Sequence, residues 1–241
     1  MPARAAAKPR FYFNLRSPYN FFALHDLAAR YPEVLDRVEW RPFWEPDEAS
    51  AKGLAEAGGE FPYTPMSRAK QFYILRDVKR LAADRGLAVS WPVDREPWWE
   101  PAHLTWFLAE RQGLGRAWVE RAGRARWLEG RDICDLATVV ELAASIGLDP
   151  DAVAAGPDDP ELREQAVRAL LDVHREGVFG VPYFVDGREP YWGLDRVPAF
   201  VAALEAGGTL APAAERQPGA GPNPALVAGP ASELSHAGGC G

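Results

Sequence analysis

Strand-forming character in this chain is confined to its two ends, and that confinement limits the possible folds more than any other feature. Residues 11–15, FYFNL, are an apolar and aromatic run, the pattern of a strand buried on both faces. Ser17-Pro18 follows at once; serine is a good helix N-cap, and proline is favoured at the first helical position. From Pro18 to Tyr31 the residues Phe21, Phe22, Leu24, His25, Leu27 and Ala28 spread as on a helix. Residues 38–44, VEWRPFW, read as a second strand, which makes the opening a strand–helix–strand unit. No strand pattern then occurs between about 45 and 177. Residues 45–66 are rich in Gly, Ala, Pro and acid and read as a loop. A helix is predicted from Ser67 to Arg85, with Ile74, Val78 and Leu81 on one face and Gly86 as its C-cap. Residues 90–101, with three Pro and three Trp, read as irregular, and helical patterns resume over 102–112, 115–128, 135–146 and 160–176. Strand character returns in 178–193, where Tyr183-Phe184-Val185 and Pro190-Tyr191-Trp192 flank the hairpin signal Asp186-Gly187. Asp195 reads as the cap of a last helix, Arg196 to Ala206. Residues 208–241, rich in Pro, Gly and Ala, read as a disordered tail.

The order βαβ, helices, ββα predicts an α/β protein: a thioredoxin-like fold interrupted by a large all-helical insertion. Residues 10–45 and 178–207 form the first part and 46–177 the second. The 241 residues can bury a core of that size. A net charge of −7 argues against a nucleic-acid partner. A run of about 18 apolar residues is absent, and the basic N-terminus lacks the apolar core of a signal peptide, so a cytoplasmic chain without membrane contact is expected. The two cysteines, Cys134 and Cys240, stand far apart and outside any CxxC. The four histidines, His25, His103, His174 and His236, show no ligand spacing, so no metal is expected.

Three segments then carry a resemblance: FYFNLRSPYNFFA (11–23), GVFGVPYFVDGREPYWGLDR (177–196) and the pattern Lys70…Asp77…Arg80. Over about residues 10–207 the chain resembles the 2-hydroxychromene-2-carboxylate isomerases and kappa-class glutathione transferases, a DsbA-like branch of thioredoxin folds. The resemblance puts Ser17 where redox relatives have the first cysteine of CxxC, so that Ser17-Pro18-Tyr19-Asn20 cannot form a disulfide. It implies a bound small thiol, glutathione or an analogue such as mycothiol, with Ser17 hydrogen-bonded to the thiolate. A helix N-terminus, with unpaired N–H groups and a partial positive charge, favours that thiolate. It further implies a cis Val181-Pro182 bond that leaves the Val181 backbone free to pair with a peptide-like ligand. By the same resemblance, Asp195 holds the γ-glutamyl ammonium, with Leu194 and Arg196 beside it, and Lys70 meets the glycyl carboxylate. The reaction implied is thiolate addition to a conjugated double bond, rotation and expulsion of the thiolate, or transfer with release of the adduct. The electrophile would be small and aromatic or polyketide-like, in a possible homodimer. Asn14 stands where the family leads one to expect Asp, and Arg16 precedes the serine; with Tyr19 and Asn20 both are assigned to the substrate pocket.

Each residue also has a plainer reading. Ser17 and Asp195 are good helix caps, Lys70 a solvated helix residue, Cys134 a buried small apolar residue, and Trp91, Trp98 and Trp99 packing for the insertion. The rival functional reading is a non-redox DsbA-like protein repurposed as a thiol-independent tailoring enzyme or binding protein. A disulfide oxidoreductase is disfavoured by the missing CxxC.

Overall fold

The structure, a computed structural model, describes residues 8–62, 65–94 and 96–212. Its first strand, β1 (Arg10–Phe13), turns through Asn14–Arg16 into helix α1 (Pro18–Arg30). Ser17 is the N-cap of α1 in extended conformation, and its Oγ accepts the Asn20 N–H at 3.3 Å. The helix stops at Tyr31 because the residue before a proline is pushed out of the helical region. Pro32 at once starts a second helix, α2 (Pro32–Arg37), too short to show in the sequence, with Val34 and Leu35 buried. Strand β2 (Glu39–Pro42) lies parallel to β1, in register from Arg10 opposite Glu39 to Phe13 opposite Pro42.

Seven helices follow without a strand among the described residues: α3 (Glu48–Glu56), α4 (Arg68–Asp84), α5 (Glu100–Arg111), α6 (Gly115–Trp127), α7 (Leu136–Ala144), α8 (Pro150–Ala155) and α9 (Pro160–Arg175). Two segments depart from the expectation. The stretch 45–66 contains α3, capped by Asp47, whose side chain accepts the Ser50 N–H. That helix buries only Ser50 and Leu54, so it has no apolar periodicity to read. Helix α5 starts inside the Pro- and Trp-rich stretch, because Pro101 falls in its first turn, where no N–H is needed.

The chain then returns to the sheet with β3 (Tyr183–Asp186) and β4 (Glu189–Trp192), giving the order β2-β1-β3-β4 with β3 antiparallel to both neighbours. The hairpin turn falls one residue later than the Asp-Gly signal, on Gly187-Arg188. Gly187 has φ +59°, and no residue other than glycine has positive φ among the described residues, the sign pattern of a type II′ turn. The last helix, α10 (Val197–Ala206), follows a 3-10 turn at Leu194–Arg196, so Asp195 does not cap it, contrary to the sequence reading. The fold also continues past 207: Leu210 is only 5 % exposed within the main core, and its N–H returns to the Leu204 carbonyl. The remainder of the expected tail, 213–241, lies outside the described residues, as do Cys240 and His236.

Both sheet faces are covered, which explains the uninterrupted apolar run of β1. Phe11, Phe13 and Phe184 point into one core shared with α1, α10 and the helices α5, α6, α7 and α9. Phe184 is the centre of a stack, 4.7 Å from Phe11 and 4.8 Å from Phe200 between ring centroids. Tyr12, Tyr183 and Val185 face the other way, onto Phe43, Val178 and Val173 of α9. No described helix is long and apolar enough to cross a membrane.

Candidate functional site

A cleft of about 730 Å³ runs beside α1, walled by α4 and by the segment from Val181 to Pro198. From α1 come Tyr19, Asp26 and Arg30, and Tyr31 follows at its end; the helix rise of about 1.5 Å per residue puts Tyr19 and Arg30 roughly 16 Å apart along the wall. Helix α4 presents Tyr73, Asp77 and Leu81, four residues apart and therefore on one face. The third wall is Val181, Pro182, Trp192 and the 3-10 turn with Leu194 and Asp195.

Two buried-edge networks join α1 to α4. The Tyr19 hydroxyl donates to Asp77 Oδ2 at 2.9 Å, while Arg80 donates to Oδ1 of the same carboxylate at 2.8 Å. Burial, and then the bond to the Asp77 carboxylate, push the Tyr19 phenol above its ordinary range, so it stays a protonated donor. Farther along, Arg85 grips Asp26 with both prongs, at 2.8 and 2.5 Å, and lies over the Phe22 ring. Burial alone would raise the Asp26 carboxyl. Hydrogen bonds from His25 and Arg85, helped by the Arg85 and Arg30 charges, outweigh it and hold the group below the usual carboxylate range.

The Val181-Pro182 peptide is cis. The Pro182 carbonyl accepts the Gly193 N–H at 2.9 Å, whereas the Val181 N–H and C=O have no partner among the described residues. Asp195 is held only loosely, 3.6 Å from Arg196, with 74 % of its side chain exposed. Gly180 lets the Trp192 indole lie close, since a Cβ there would come within 2.9 Å of Trp192 Nε1. Trp192, which lines the cleft, meets Phe179 edge-on at 4.8 Å, and both rings are exposed.

Of the residues singled out from sequence, Tyr19, Val181, Pro182, Leu194 and Asp195 meet in this cleft. Ser17, Asn14, Arg16, Asn20, Lys70 and Arg196 are outside its lining. Ser17 occupies the N-cap two residues before Tyr19. In that first turn Pro18 has no N–H and the Asn20 N–H is taken by Ser17, so the Tyr19 N–H is the one left without a partner among the described residues. Asn14 shapes the approach by accepting the Arg16 N–H at 2.6 Å. Asn20 is buried with its Oδ1 unpartnered. Lys70 is exposed on the first turn of α4, its N–H bonded to Ser67 Oγ.

Arg16 belongs to a second, smaller cleft of about 280 Å³, with Glu45, Asp47, Trp98 and Trp99. It pairs with Glu45 at 3.0 Å and lies over the Trp99 ring. Asp47 is fixed by the Ser50 N–H, Trp98 Nε1 and Arg163. These bonds outweigh burial and keep it below the usual range. Behind this cleft Glu100 is wholly buried. Its Oε1 accepts the Asp47 N–H at 3.0 Å and its Oε2 has no partner, and burial first, then the Asp47 charge, push its carboxyl up to about 7. His103, one turn along α5 and equally buried, donates from Nδ1 to the Trp99 carbonyl at 2.7 Å. Its Nε2 therefore accepts the Leu15 N–H, at 3.4 Å. Burial holds His103 neutral, its pKa lowered to about 4.

Elsewhere Asp94, Asp132 and Cys134 bring three ligand-type atoms within 4.8 Å of one another. Arg126 occupies both Asp94 oxygens, at 2.7 and 2.9 Å, and its charge opposes a cation there. Tyr73, Asp26, Arg85 and His103 were not assigned to a site from sequence. The four-residue spacing of Tyr73, Asp77 and Leu81 was a readable signal; the pairing of Asp26 with Arg85, fifty-nine positions apart, was not.

The sheet order, the cis-proline beside the cleft and the capped helix opposite it define a thioredoxin fold with no cysteine at the start of α1. A family model for the DSBA-like thioredoxin domain matches residues 10–205, and the chain belongs to that family. It is 29 % identical over 194 residues to a 2-hydroxychromene-2-carboxylate isomerase of Sphingobium xenophagum, covering 78 % of this chain and 92 % of that one. Among solved structures, a 2-hydroxychromene-2-carboxylate isomerase superposes with a TM-score of 0.64 at 23 % identity, covering 84 % of this chain and 98 % of that one. The cytosolic disulfide reductase DsbM of Pseudomonas aeruginosa, solved with GSH, superposes with a TM-score of 0.53 at 21 % identity, covering 84 % and 99 %. At these identities the two superpositions establish the fold alone.

Proposed function

We propose that the chain is a thiol-dependent isomerase, or a related transferase, acting on a small conjugated electrophile of aromatic or polyketide-like character, with glutathione or an analogue such as mycothiol held in the larger cleft. The observation that carries the reading is the open Asp195 carboxylate in the same cleft as the unpaired Val181 backbone, a cleft whose first α1 residue, Tyr19, stands two positions past the cysteine-free cap of that helix. The 29 % identity to a 2-hydroxychromene-2-carboxylate isomerase supports it.

Asp195 pairs with the ammonium of a γ-glutamyl group, a charge its single loose contact with Arg196 leaves it free to take. The Val181 N–H and C=O bond to the ligand's backbone as an added strand would. Ser17 accepts from Asn20, so its own hydroxyl hydrogen is free to donate to a thiolate, and the start of α1 adds its partial positive charge. When bound, the thiol supplies a nucleophile that forms a C–S bond to a conjugated carbon and leaves again once the neighbouring bond has rotated. Electrons balance without an oxidant. Cations on the cleft wall are Arg30 and the paired Arg85, so they, not Lys70, stand nearest to meet a ligand carboxylate.

Thermal and urea unfolding with excess glutathione, then mycothiol, tests this on the wild-type chain and on Asp195→Ala. A ligand of the folded state adds about 2.7 kcal/mol at a hundred times its dissociation constant. The expected result is a rise with one thiol that Asp195→Ala abolishes. No rise with either thiol overturns the reading in favour of the thiol-independent alternative.

A further inference from the structure

We propose that His103 is a positioning residue for the loop that presents Ser17, holding that loop through the Leu15 backbone N–H; the catalytic part of this inference rests on the thiol-dependent reading above. Four backbone positions connect the end of β1 at Phe13 to the cap of α1, Asn14 to Ser17. Two of their N–H groups are satisfied within the loop: Arg16 by the Asn14 side chain and Ser17 by the Asn14 carbonyl. Leu15 is buried, and its N–H has one acceptor, His103 Nε2, which comes from α5 in the helical insertion. The imidazole is itself fixed from two sides. Nδ1 donates to the Trp99 carbonyl at 2.7 Å, and the Trp44 ring stacks on it at 5.3 Å and 12°. Only the tautomer with hydrogen on Nδ1 satisfies both ring nitrogens, and it leaves Nε2 as an acceptor aimed at the loop.

The same turn of α5 reaches the other loop at this end of the parallel strand pair, since Glu100 Oε1 accepts the Asp47 N–H at the start of α3. Helix α5 therefore grips both loops that leave the C-terminal ends of β1 and β2, where ligands bind in sheets with parallel strands. Loss of the imidazole acceptor releases the Leu15 side of the Ser17 loop while the Asp47 side stays held. A carbonyl oxygen placed near Nε2 replaces it, and a hydrocarbon does not.

The test compares the full-length chain with His103→Gln and His103→Leu. Gln sets an amide oxygen about where Nε2 lies; both variants lose the Trp44 stack, so their difference isolates the acceptor. Hydrogen exchange of the backbone over residues 14–19 is measured against β3 as internal reference. Ionisation of bound glutathione is followed by thiolate absorbance near 240 nm across pH. In His103→Leu the loop amides exchange about tenfold faster relative to β3, the factor one ordinary hydrogen bond corresponds to. The bound thiol also ionises at higher pH, and His103→Gln returns both readouts towards wild type. Equal loop exchange in His103→Leu and wild type, or a Gln variant no better than the Leu variant, overturns the proposal. Should wild type bind no glutathione, the thiol-dependent reading fails on that result, and loop exchange still decides whether His103 positions the loop.

Discussion

Replacing Glu100 by glutamine removes one titrating group from the interior, and the effect on stability follows from its burial. The carboxyl is raised from 4.5 to about 7 because it is wholly buried and faces Asp47. Between those two pH values the native state keeps a proton that the unfolded chain has lost. Stability therefore falls with rising pH there, by about 1.4 kcal/mol per pH unit and about 3 kcal/mol in all. His103 on the same helix works the other way. Its pKa drops from 6.5 to about 4, so between those values the unfolded chain binds the extra proton and stability rises with pH by a similar amount. In wild type the two slopes cancel over most of pH 4.5 to 6.5. Glu100→Gln keeps the shape and removes the proton, exposing the His103 slope. Urea unfolding of both proteins from pH 4.5 to 8 measures it. The stability of the variant relative to wild type is expected to climb by about 3 kcal/mol across the range and then level off. A difference that stays constant with pH would refute the assignment of a protonated acid to this position.

Phe184→Ala empties the middle of the stack between Phe11 and Phe200 and is expected to cost about 3–5 kcal/mol in urea unfolding. Arg85→Met leaves the Asp26 carboxylate on the α1 wall of the cleft without its main partner, at a cost of about 2 kcal/mol near neutral pH. Because Asp26 is held low in the folded state, that contribution starts to fall below about pH 4 and is lost only as pH passes through the lowered folded value, so the gap between wild type and variant narrows progressively in acid, which unfolding curves from about pH 7 down to about pH 3 check. The Cys134 thiol, pushed up to about 12 chiefly by burial and next by Asp94, is inert towards disulfide reagents in the native state. In a Cys240→Ser chain, no thiol titrates until denaturant is added.

Short-range signals carried the parts of the fold that were legible in the sequence. The FYF run reads as a doubly buried strand because both faces of β1 are covered, and Ser17-Pro18 caps α1 by local chemistry alone. Helices α2, α3 and α8 were invisible because each buries only one or two side chains, too few to set up a period. Asp195 was misread as a cap because a 3-10 turn intervenes before α10, and no pattern of apolar residues distinguishes the two. In the site, the cis-proline segment was carried by a long, ordered string. The acceptor on His103 was hidden because a lone histidine in an apolar helix looks like packing until the Leu15 N–H arrives from 88 positions away.

The sheet is sewn together from the two ends of the chain, with Arg10 bonded to the Gly187 carbonyl 177 positions away. Each doubling of such a loop adds only about 0.6 kcal/mol to the closing cost, so the helical insertion is a small thermodynamic burden. Its burden is on time. Pairings between distant segments form slowly, and until β3 docks, the β1 edge stays open to strands of other chains. During synthesis α1 and α4 emerge long before the cis-proline wall, so a ribosome-bound chain has two sides of its cleft and no third. The third wall, Val181 to Pro198, is supplied only by the segment that follows the helical insertion, so closure of the cleft reports that the sheet has been completed.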